Sequence, residues 1–438
     1  MPESLHLREP SCQNAAMIDD PRQFLCTLFD KAVETAGAER CLKNHLPTPP
    51  RGRTVIVGAG KAAAAMASAV EARWSGELTG VVVTPYGHGA PTRYIEVVEA
   101  SHPVPDDAGT RGARQVLEAV QGLSEDDLVL CLISGGGSAL LAYPADGIAL
   151  DDKRTITKAL LRSGASIHEI NCVRKHLSAI KGGRLATLAA PTTVLTLAIS
   201  DVPGDDISVI ASGPTVADPS TRDEAVALLK QYRIEAPTAV WSWLERPESE
   251  TPKPGDPALG RSGAAIIATP QDSLNAAADY ARSKGVTPIV LGDTIEGEAR
   301  DVALVHAAIA REVVTNGRLA APPAVIISGG ETTVTLRGEG GSGGRNQEFL
   351  LALAGALNGM RGVHALACDT DGIDGFSKAA GAVIDPTTPE RAAALNISLT
   401  AMLERQDSFG FFDALGDSVV TGPTRTNVND FRAILILT

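Results

Sequence analysis

Apolar residues follow two alternating patterns along this chain, and together these patterns predict an α/β fold. Short continuous runs rich in β-branched residues are typical of buried strands, whereas apolar residues at helical spacing predict the helices between them. In the first half, the predicted strands are Thr54–Val57, Gly80–Thr84, Tyr94–Glu99, Leu128–Ile133 and Thr193–Ile199. The predicted helices are Lys61–Arg73, Gly109–Gly122, Lys153–Arg162 and Ile170–Ala189. Continuous apolar strands that alternate with helices indicate a parallel sheet covered on both faces.

The chain divides at a proline-rich segment. Residues 246–259 read RPESETPKPGDPAL, and four prolines in 14 residues cannot continue a helix or a central strand. Strand and helix patterns resume after it and continue to Phe431–Leu437. We therefore predict a polar leader over residues 1–20, a first domain over 21–245, a linker or exposed loop over 246–260 and a second α/β domain over 261–438.

Composition and charge narrow the function classes. The 438 residues carry 39 Lys and Arg against 52 Asp and Glu, a net charge of −13 that argues against binding nucleic acid or an anionic membrane surface. Hydrophobic residues at 44% exclude wholesale disorder, and no apolar run reaches the roughly 18 residues that span a bilayer. The first residues lack a signal-peptide pattern, and the six cysteines form no CxxC pair. We therefore expect a cytoplasmic protein with reduced thiols and no zinc.

Glycines cluster directly after three predicted strands and before one predicted helix. Glycine in such loops lets backbone N–H groups approach an anion at the positive end of a helix, although a single loop of this kind is often a plain tight turn. Four such loops in one chain favour phosphate binding. The candidate nucleotide- or phosphate-binding residues are Gly58, Gly60, Ser134, Gly135, Gly136, Gly137, Ser138, Ser328, Gly329, Gly330, Glu331, Gly343 and Gly344.

Two familiar phosphate motifs do not account for these loops. A Walker A loop requires GxxxxGK[ST], but Gly60-Lys61 has Val55 at the first glycine position and Ala62 in place of the hydroxyl. The segment from Gly58 to Ala63 meets the loose dinucleotide fingerprint, but the next strand, GVVVTP, ends without Asp or Glu. A lysine directly after the second glycine suits a phosphate ligand better, so a nicotinamide cofactor is the minor alternative.

Carboxylates also follow predicted strands. Asp201 stands at the end of one strand, and Asp369, Asp371 and Asp374 fall within six residues after another. Carboxylates this close repel one another unless a cation neutralises them, which suggests a Mg²⁺ site, while the alternative is an exposed Asp/Gly turn. Together with the cationic Lys61 and Arg345, these groups indicate phosphoryl transfer. Asp201 could orient or deprotonate an acceptor hydroxyl or hold Mg²⁺.

A basic stretch lies in the predicted helix Ile170–Ala189. Arg174, Ser178 and Lys181 fall on one helical face, at spacings of four and seven. In a protein of negative net charge, such a patch could bind an anionic nucleotide or a carboxylate substrate; the alternative is a solvated basic face.

The longer motifs resemble those of one family. VIVGAGKAA, SHPVPD, LISGGGSALL, INCVRKHLSAIKGGRLA, LAISDVPGDD, IASGPT, DTDGIDG and GPTRTNVND occur in the order found in the glycerate 2-kinase family with a carboxyl-terminal MOFRL domain. The resemblance implies two α/β domains, the larger of them Rossmann-like and doubly wound, with the active site in the cleft between them. It also places the family's important lysine, aspartate and arginine on Lys61, Asp201 and Arg345. His102, Arg174 and Lys181 are candidate substrate- or anion-binding residues.

The resemblance further implies the reaction and its participants. A member of this family would phosphorylate D-glycerate on its 2-hydroxyl with ATP and Mg²⁺ or Mn²⁺, giving 2-phosphoglycerate and ADP, as a monomer or homodimer. Some members are named hydroxypyruvate reductase, so NAD(P)H-dependent reduction of hydroxypyruvate is the alternative, and a non-catalytic anion sensor is a third. The chain departs from the family pattern at Arg425, where a small residue, usually glycine, is expected.

Overall fold

A computed structural model of the protein describes residues 18–336 and 340–437. Most of the predicted leader, residues 1–17, lies outside the described residues. The strands are β1 (Thr54–Ala59), β2 (Leu78–Pro85), β3 (Ile95–Ala100), β4 (Leu128–Ile133), β5 (Thr193–Ile199), β6 (Ser262–Ala268), β7 (Thr287–Gly292), β8 (Glu296–Glu298), β9 (Ala324–Ser328), β10 (Glu331–Thr333), β11 (Val363–Asp369), β12 (Gly381–Ile384), β13 (Ser418–Val419) and β14 (Asp430–Ile436).

The helices lie between and around these strands. They are α1 (Pro21–Thr35), α2 (Ala38–Cys41), α3 (Ala63–Glu71), α4 (Asp107–Ala119), α5 (Gly137–Leu140), α6 (Leu150–Arg162), α7 (Ile167–His176), α8 (Arg184–Ala189), α9 (Arg222–Gln231), α10 (Thr238–Leu244), α11 (Pro270–Ser283), α12 (Ala299–Asn316), α13 (Arg345–Leu357), α14 (Thr388–Ala394), α15 (Leu399–Glu404) and α16 (Ser408–Leu415). Short 3₁₀ turns cover Ile210–Ser212, Pro247–Ser249 and Pro257–Leu259. No helix within the described residues is long and apolar enough to cross a membrane.

The first sheet confirms the predicted doubly wound α/β class. Its six strands run in the order β3-β2-β1-β4-β5-β6, and every neighbouring pair is parallel. This is the strand order of the Rossmann fold. Strands β1 and β4 are buried at every position because helices cover both faces. The order reverses between these two strands, so their following loops lead to opposite faces and leave a crevice at the carboxyl edge of the sheet.

The second sheet is mixed rather than parallel. Its order is β13-β12-β11-β14-β9-β7, and within it only β7 and β9 pair in parallel. The carboxyl-terminal strand β14 lies in the middle of this sheet, between β11 and β9. Helix α13 is buried along nearly its whole length because it packs on β11 and β12.

The predicted boundary between the domains differs from the observed one. Strand β6 pairs with β5, so the first sheet extends to Ala268 and the first domain does not end at residue 245. The guanidinium of Arg184 donates hydrogen bonds to the backbone carbonyls of Glu248 and Ser249, which holds the proline-rich segment against the first domain. The segment 246–260 is therefore a loop within the first domain and not a linker.

Helix α1 belongs to the second domain, although it opens the predicted first domain. The Asp20 carboxylate accepts a hydrogen bond from the Gln23 amide, so the helix starts at Pro21 as its sequence predicts. The ring of Phe29 lies 6.0 Å from that of Phe431 in β14. The apolar face of α1 thus packs on the second sheet and α11, a long-range contact that local sequence does not reveal.

The predicted helix Ile170–Ala189 is two helices. Helix α7 ends at His176, and α8 begins only at Arg184. Gly182 and Gly183 lie between them with φ of 58° and 84°, a left-handed backbone that a continuing helix cannot contain. Ser178 and Lys181 therefore lie in a loop, and the prediction that they share a helical face with Arg174 is wrong.

Candidate active site

Three loops of the first domain meet at the carboxyl edge of its sheet. Lys61 follows β1, residues 134–138 follow β4, and Asp201 follows β5. The backbone amide of Lys61 donates to the carbonyl oxygen of Gly135 over 2.9 Å, and the Ala62 amide donates to Ser134 Oγ over 2.9 Å. These bonds fix the first two loops to each other at the point where the strand order reverses.

Gly135 brings the loop backbone directly against Asp201. A Cβ atom at position 135 would lie 2.2 Å from Asp201 Oδ2 and 2.2 Å from Asn427 Nδ2. At the next position, Gly136 has a left-handed φ of 81°, and a Cβ atom there would lie 3.0 Å from His102 Nε2. Any side chain at position 135 would therefore displace the carboxylate or its amide partner.

The second domain closes over these loops through polar contacts. Lys61 Nζ lies 2.5 Å from Asp371 Oδ2, which joins the two domains by an ion pair. Asn427 Nδ2 donates to Asp201 Oδ2 over 3.1 Å, and Asn429 Nδ2 donates to the Asp201 carbonyl over 2.5 Å. The structure thus brings Lys61 and Asp201 of one domain against three polar side chains of the other.

Arg345 gathers the carboxylates of the second domain. As the first residue of α13, it bonds Asp430 at 2.6 Å, Asp369 at 3.0 Å and Glu331 at 3.1 Å. Asp430 in turn pairs with the buried Arg432. Cations and carboxylates therefore alternate in the series Arg432, Asp430, Arg345 and Asp369. Asp371, two residues after Asp369, pairs with Lys61 of the first domain.

This alternation controls the protonation of the paired groups. Burial opposes the charged form of Lys61, but the charges of Asp371 and Asp369 outweigh it and hold the pKa of Lys61 above its ordinary value. Burial likewise opposes ionisation of Asp371, yet Lys61 keeps the pKa of that carboxyl low. For Asp369, burial and the charge of Asp371 raise the pKa well above its ordinary value. The Lys61–Asp371 pair is therefore ionised at neutral pH.

Asp201 and two histidines have pKa values shifted toward the neutral form. Burial, reinforced by the charge of Glu331, raises the pKa of Asp201 to about 6. Burial and the charge of Lys61 lower the pKa of His102 to about 4, and burial lowers that of His88. At neutral pH the site therefore contains a carboxylate that can take up a proton and two neutral imidazoles.

Asp374 lies apart from the other two carboxylates predicted as metal ligands. Its two carboxylate oxygens accept hydrogen bonds from the backbone amides of Asn346, over 3.0 Å, and Gln347, over 2.8 Å. Asp374 therefore caps the first turn of α13. The predicted three-carboxylate set is therefore not assembled, and within the described ranges no three His, Cys, Asp or Glu side chains converge on a metal position. Asp369 and Asp371 still fit Mg²⁺, which takes one or two protein carboxylates together with substrate phosphates.

Several predicted phosphate-loop residues serve close packing. Gly58 lies inside β1, where a Cβ atom would meet the Leu132 carbonyl at 1.9 Å. A Cβ atom on Gly60 would meet Ser134 Oγ at 2.2 Å. In the second domain, Ser328 Oγ bonds His306 Nε2 at 2.9 Å. Gly329, Gly330, Gly343 and Gly344 likewise pack against Asp430, Ile295, Ser408 and Asp374.

Other residues of this site are not predicted from the sequence. Asn427, Asn429 and Asp430 lie in the segment GPTRTNVND, whose composition gives no sign that it crosses to the first domain. Arg425, the departure from the family pattern, has a left-handed φ of 59°, which explains why glycine suits this position. Its Nε donates to the carbonyl of Gly89 in the first domain over 2.9 Å. Arginine therefore adds one more interdomain bond.

Fold and site define a two-domain α/β protein with a charged interdomain cleft suited to anion chemistry. Two family models match the chain: a domain of unknown function, DUF4147, over residues 24–245, and the MOFRL family over residues 324–430. A glycerate 2-kinase of Pyrococcus horikoshii is 41% identical over 435 residues, covering 95% of this chain and 98% of that protein. A protein of Agrobacterium vitis that carries the provisional name hydroxypyruvate reductase is 51% identical, covering 98% of both chains.

A solved structure agrees with these relatives. The crystal structure of glycerate kinase from Thermotoga maritima has a TM-score of 0.86 and 40% identity, covering 95% of this chain and 99% of that one. The chain belongs to the glycerate 2-kinase family with a carboxyl-terminal MOFRL domain, and it is an enzyme of that family.

Substitution of Gly135 by alanine tests the interdomain contact. We expect Gly135→Ala to separate Asp201 from Asn427, because the added methyl group overlaps both side chains. Hydrogen exchange followed by mass spectrometry should become faster in residues 134–138 and 424–429, with an unchanged circular dichroism spectrum. Gly263→Ala is the matched control, since its nearest neighbour would be Leu195 Cδ1 at 4.0 Å. Equal exchange in both variants would contradict the contact.

Proposed function

We propose that this protein phosphorylates D-glycerate on its 2-hydroxyl with ATP and a divalent cation, giving 2-phosphoglycerate and ADP. The observation that carries the proposal is the meeting of Lys61, Asp201, Asp371 and Arg345 at one interdomain site. Phosphoryl transfer requires little covalent chemistry from the protein but does require fixed cations and excluded water. Relatives named glycerate 2-kinase support glycerate as the acceptor.

Lys61 and Arg345 are proposed to neutralise the transferring phosphoryl group. Lys61 approaches the site from the first domain and Arg345 from the second, so a phosphoryl group between them would contact both. Each cation is now paired with carboxylates, and the nucleotide phosphates would take the place of part of that pairing. Fixed charges aimed at developing negative charge typically contribute several kcal/mol to a transition state.

Asp201 is proposed to accept the proton of the acceptor hydroxyl. Its carboxylate is held in place by Asn427 and lies beside the Gly135 backbone. A general base is most effective when its pKa lies near the working pH, and burial has moved the pKa of Asp201 toward that range. The alternative role as a Mg²⁺ ligand has less support, because Asn427 already occupies Oδ2 and Asp369 and Asp371 lie with Arg345 and Lys61 instead.

Asp369 and Asp371 would hold Mg²⁺ or Mn²⁺ together with the nucleotide. The cation, when bound, would neutralise charge on the phosphates. The nucleotide itself is proposed to occupy a cavity of about 350 Å³ in the second domain that opens beside Arg345. Gly343 and Gly344 line this cavity, and so does the ring of Phe376, which is 86% exposed. An exposed aromatic ring at the cavity edge suits stacking with a base.

Hydroxypyruvate reduction is the second candidate because of the first sheet's strand order and the name of a close relative. A dinucleotide site on this fold places an acidic residue at the end of β2 to bind the ribose. Strand β2 instead ends in Thr84 and Pro85, and Thr84 Oγ1 donates to the Gly60 carbonyl. The structure therefore favours the kinase.

The assay that separates the two candidates measures both reactions on one preparation. With D-glycerate, ATP and Mg²⁺, we expect ADP and a phosphorylated acid whose proton-coupled phosphorus NMR signal is a doublet, because the 2-carbon carries one hydrogen. A triplet would place the phosphate on the 3-hydroxyl and contradict the proposed regiochemistry. NADH oxidation with hydroxypyruvate, without any ATP-dependent turnover, would overturn the kinase proposal.

The pH dependence of kcat tests the role of Asp201. A base acts only when unprotonated, so we expect kcat to rise as pH increases through about 6, the pKa of the buried Asp201 carboxyl. In Asp201→Asn, kcat should fall by about a hundredfold or more, and added Mg²⁺ should not restore it. Asp205→Asn, in the loop that follows, is the control. Restoration of Asp201→Asn by high Mg²⁺ would show instead that Asp201 binds the metal.

A further inference from the structure

Two buried lysines and a partly exposed arginine lie together in the first domain, and none of the three has a carboxylate partner among the described residues. Lys153 of α6 is 7% exposed, and its Nζ has no hydrogen-bond partner among the described residues. Lys181 is 1% exposed, and among the described residues its Nζ donates hydrogen bonds only to Ser138, to the carbonyl over 2.8 Å and to Oγ over 3.4 Å. The partly exposed guanidinium of Arg174, in α7, forms neither a hydrogen bond nor an ion pair with any residue that the structure describes.

The charges of these three residues act on one another. Burial lowers the pKa of Lys153 to about 7, and the charge of Arg174 adds to the effect. Burial lowers the pKa of Lys181 as well, and the charges of Lys153 and Arg174 add to it. Elsewhere in this domain, buried Lys175 has its own partner, Asp218, at 3.2 Å. Buried charges are costly unless paired, so an unpaired set is a feature that folding alone does not favour.

The cluster adjoins the loop that carries the candidate active site. Ser138, which binds Lys181, is two residues from Gly136, which lies against Lys61 and His102. Two residues span at most about 7.6 Å between Cα atoms. Lys181 Nζ is therefore bound to the same loop whose Gly136 lies against Lys61 and His102.

Two residues with a strained backbone lie beside Ser138. Ala211 and Ser212 both have left-handed φ values, 51° and 60°, which non-glycine residues rarely adopt. This turn directs Ser212 Oγ to Ser138 Oγ at 2.9 Å and to Asn171 Oδ1 at 3.0 Å. A hydroxyl network thus fixes Ser138 and, through it, Lys181.

We propose that Lys153, Arg174 and Lys181 form the subsite that binds the carboxylate of the substrate acid. This inference rests on the proposed function and adds Lys153, which no sequence pattern singled out. A carboxylate supplies the missing negative charge and two acceptor oxygens. A nucleotide phosphate has the same chemistry, but the cavity beside Arg345 lies on the second domain, whereas these cations lie on the first.

Calorimetric titration of the full-length protein with D-glycerate, without nucleotide, tests the subsite. We expect Lys153→Met to weaken glycerate binding about tenfold or more, since hydrogen bonds to charged groups are worth that much. Lys158→Met, an exposed position on the same helix, should bind like the wild type. Glycerol, which has the hydroxyls but no carboxylate, should not bind measurably. Unchanged glycerate binding in Lys153→Met would overturn the proposal.

Three further measurements exclude misfolding of the variant and identify the anion that binds. Lys153→Met without ligand should melt at or above the wild-type temperature, because the substitution removes an uncompensated buried charge. If that variant does not fold, Arg174→Gln should give the same loss of glycerate binding. Titration with ATP distinguishes the anion: a loss confined to ATP would make the cluster a phosphate site and overturn the proposal. Wild-type protein that binds glycerate through Lys153 but forms no ADP would refute the proposed function and leave the subsite standing.

Discussion

The ion pair between Lys61 and Asp371 is the interaction on which the arrangement of the site depends. It joins residues 310 positions apart, at the switch point of the first sheet and at the end of β11 in the second. Both groups are largely buried, so each would be costly without the other. The pair therefore favours the closed arrangement of the two domains and keeps Lys61 charged at the proposed phosphoryl-transfer site.

The two sides of the cleft differ in how many of their cations are paired with carboxylates. On the second domain, Arg345 has three carboxylate partners and Asp430 has two arginines, so that side is neutralised before any ligand binds. On the first domain, Lys153, Arg174 and Lys181 have no carboxylate partner within the part of the chain that the structure describes. The paired charges of the second domain suit a metal–nucleotide complex, which itself carries both positive and negative charge. The unpaired cations of the first domain suit an anion, the proposed substrate acid.

Local sequence predicted the strands and loops well but not the long-range contacts. Strands β4 and β5 match their predicted bounds to the residue because each is a continuous apolar run between polar residues. The sequence predicts Lys61, Asp201 and Arg345 as site residues because glycine-rich loops and strand ends concentrate ligands in α/β sheets, and the structure brings them to one interdomain cleft. Asp374 was misassigned because the amides that it caps lie 28 and 27 residues away. The burial of Lys153 is not predicted, because its helix pattern does not show that a charged side chain is buried.

A double-mutant cycle on Lys61 and Asp371 tests the central claim, that this cross-domain pair acts as one unit in catalysis. We expect Lys61→Met and Asp371→Asn each to lower kcat by about a hundredfold or more. In the double variant, kcat should be close to that of the poorer single variant, because either substitution already breaks the unit. Losses that multiply in the double variant would show that the two residues act independently and would contradict the account.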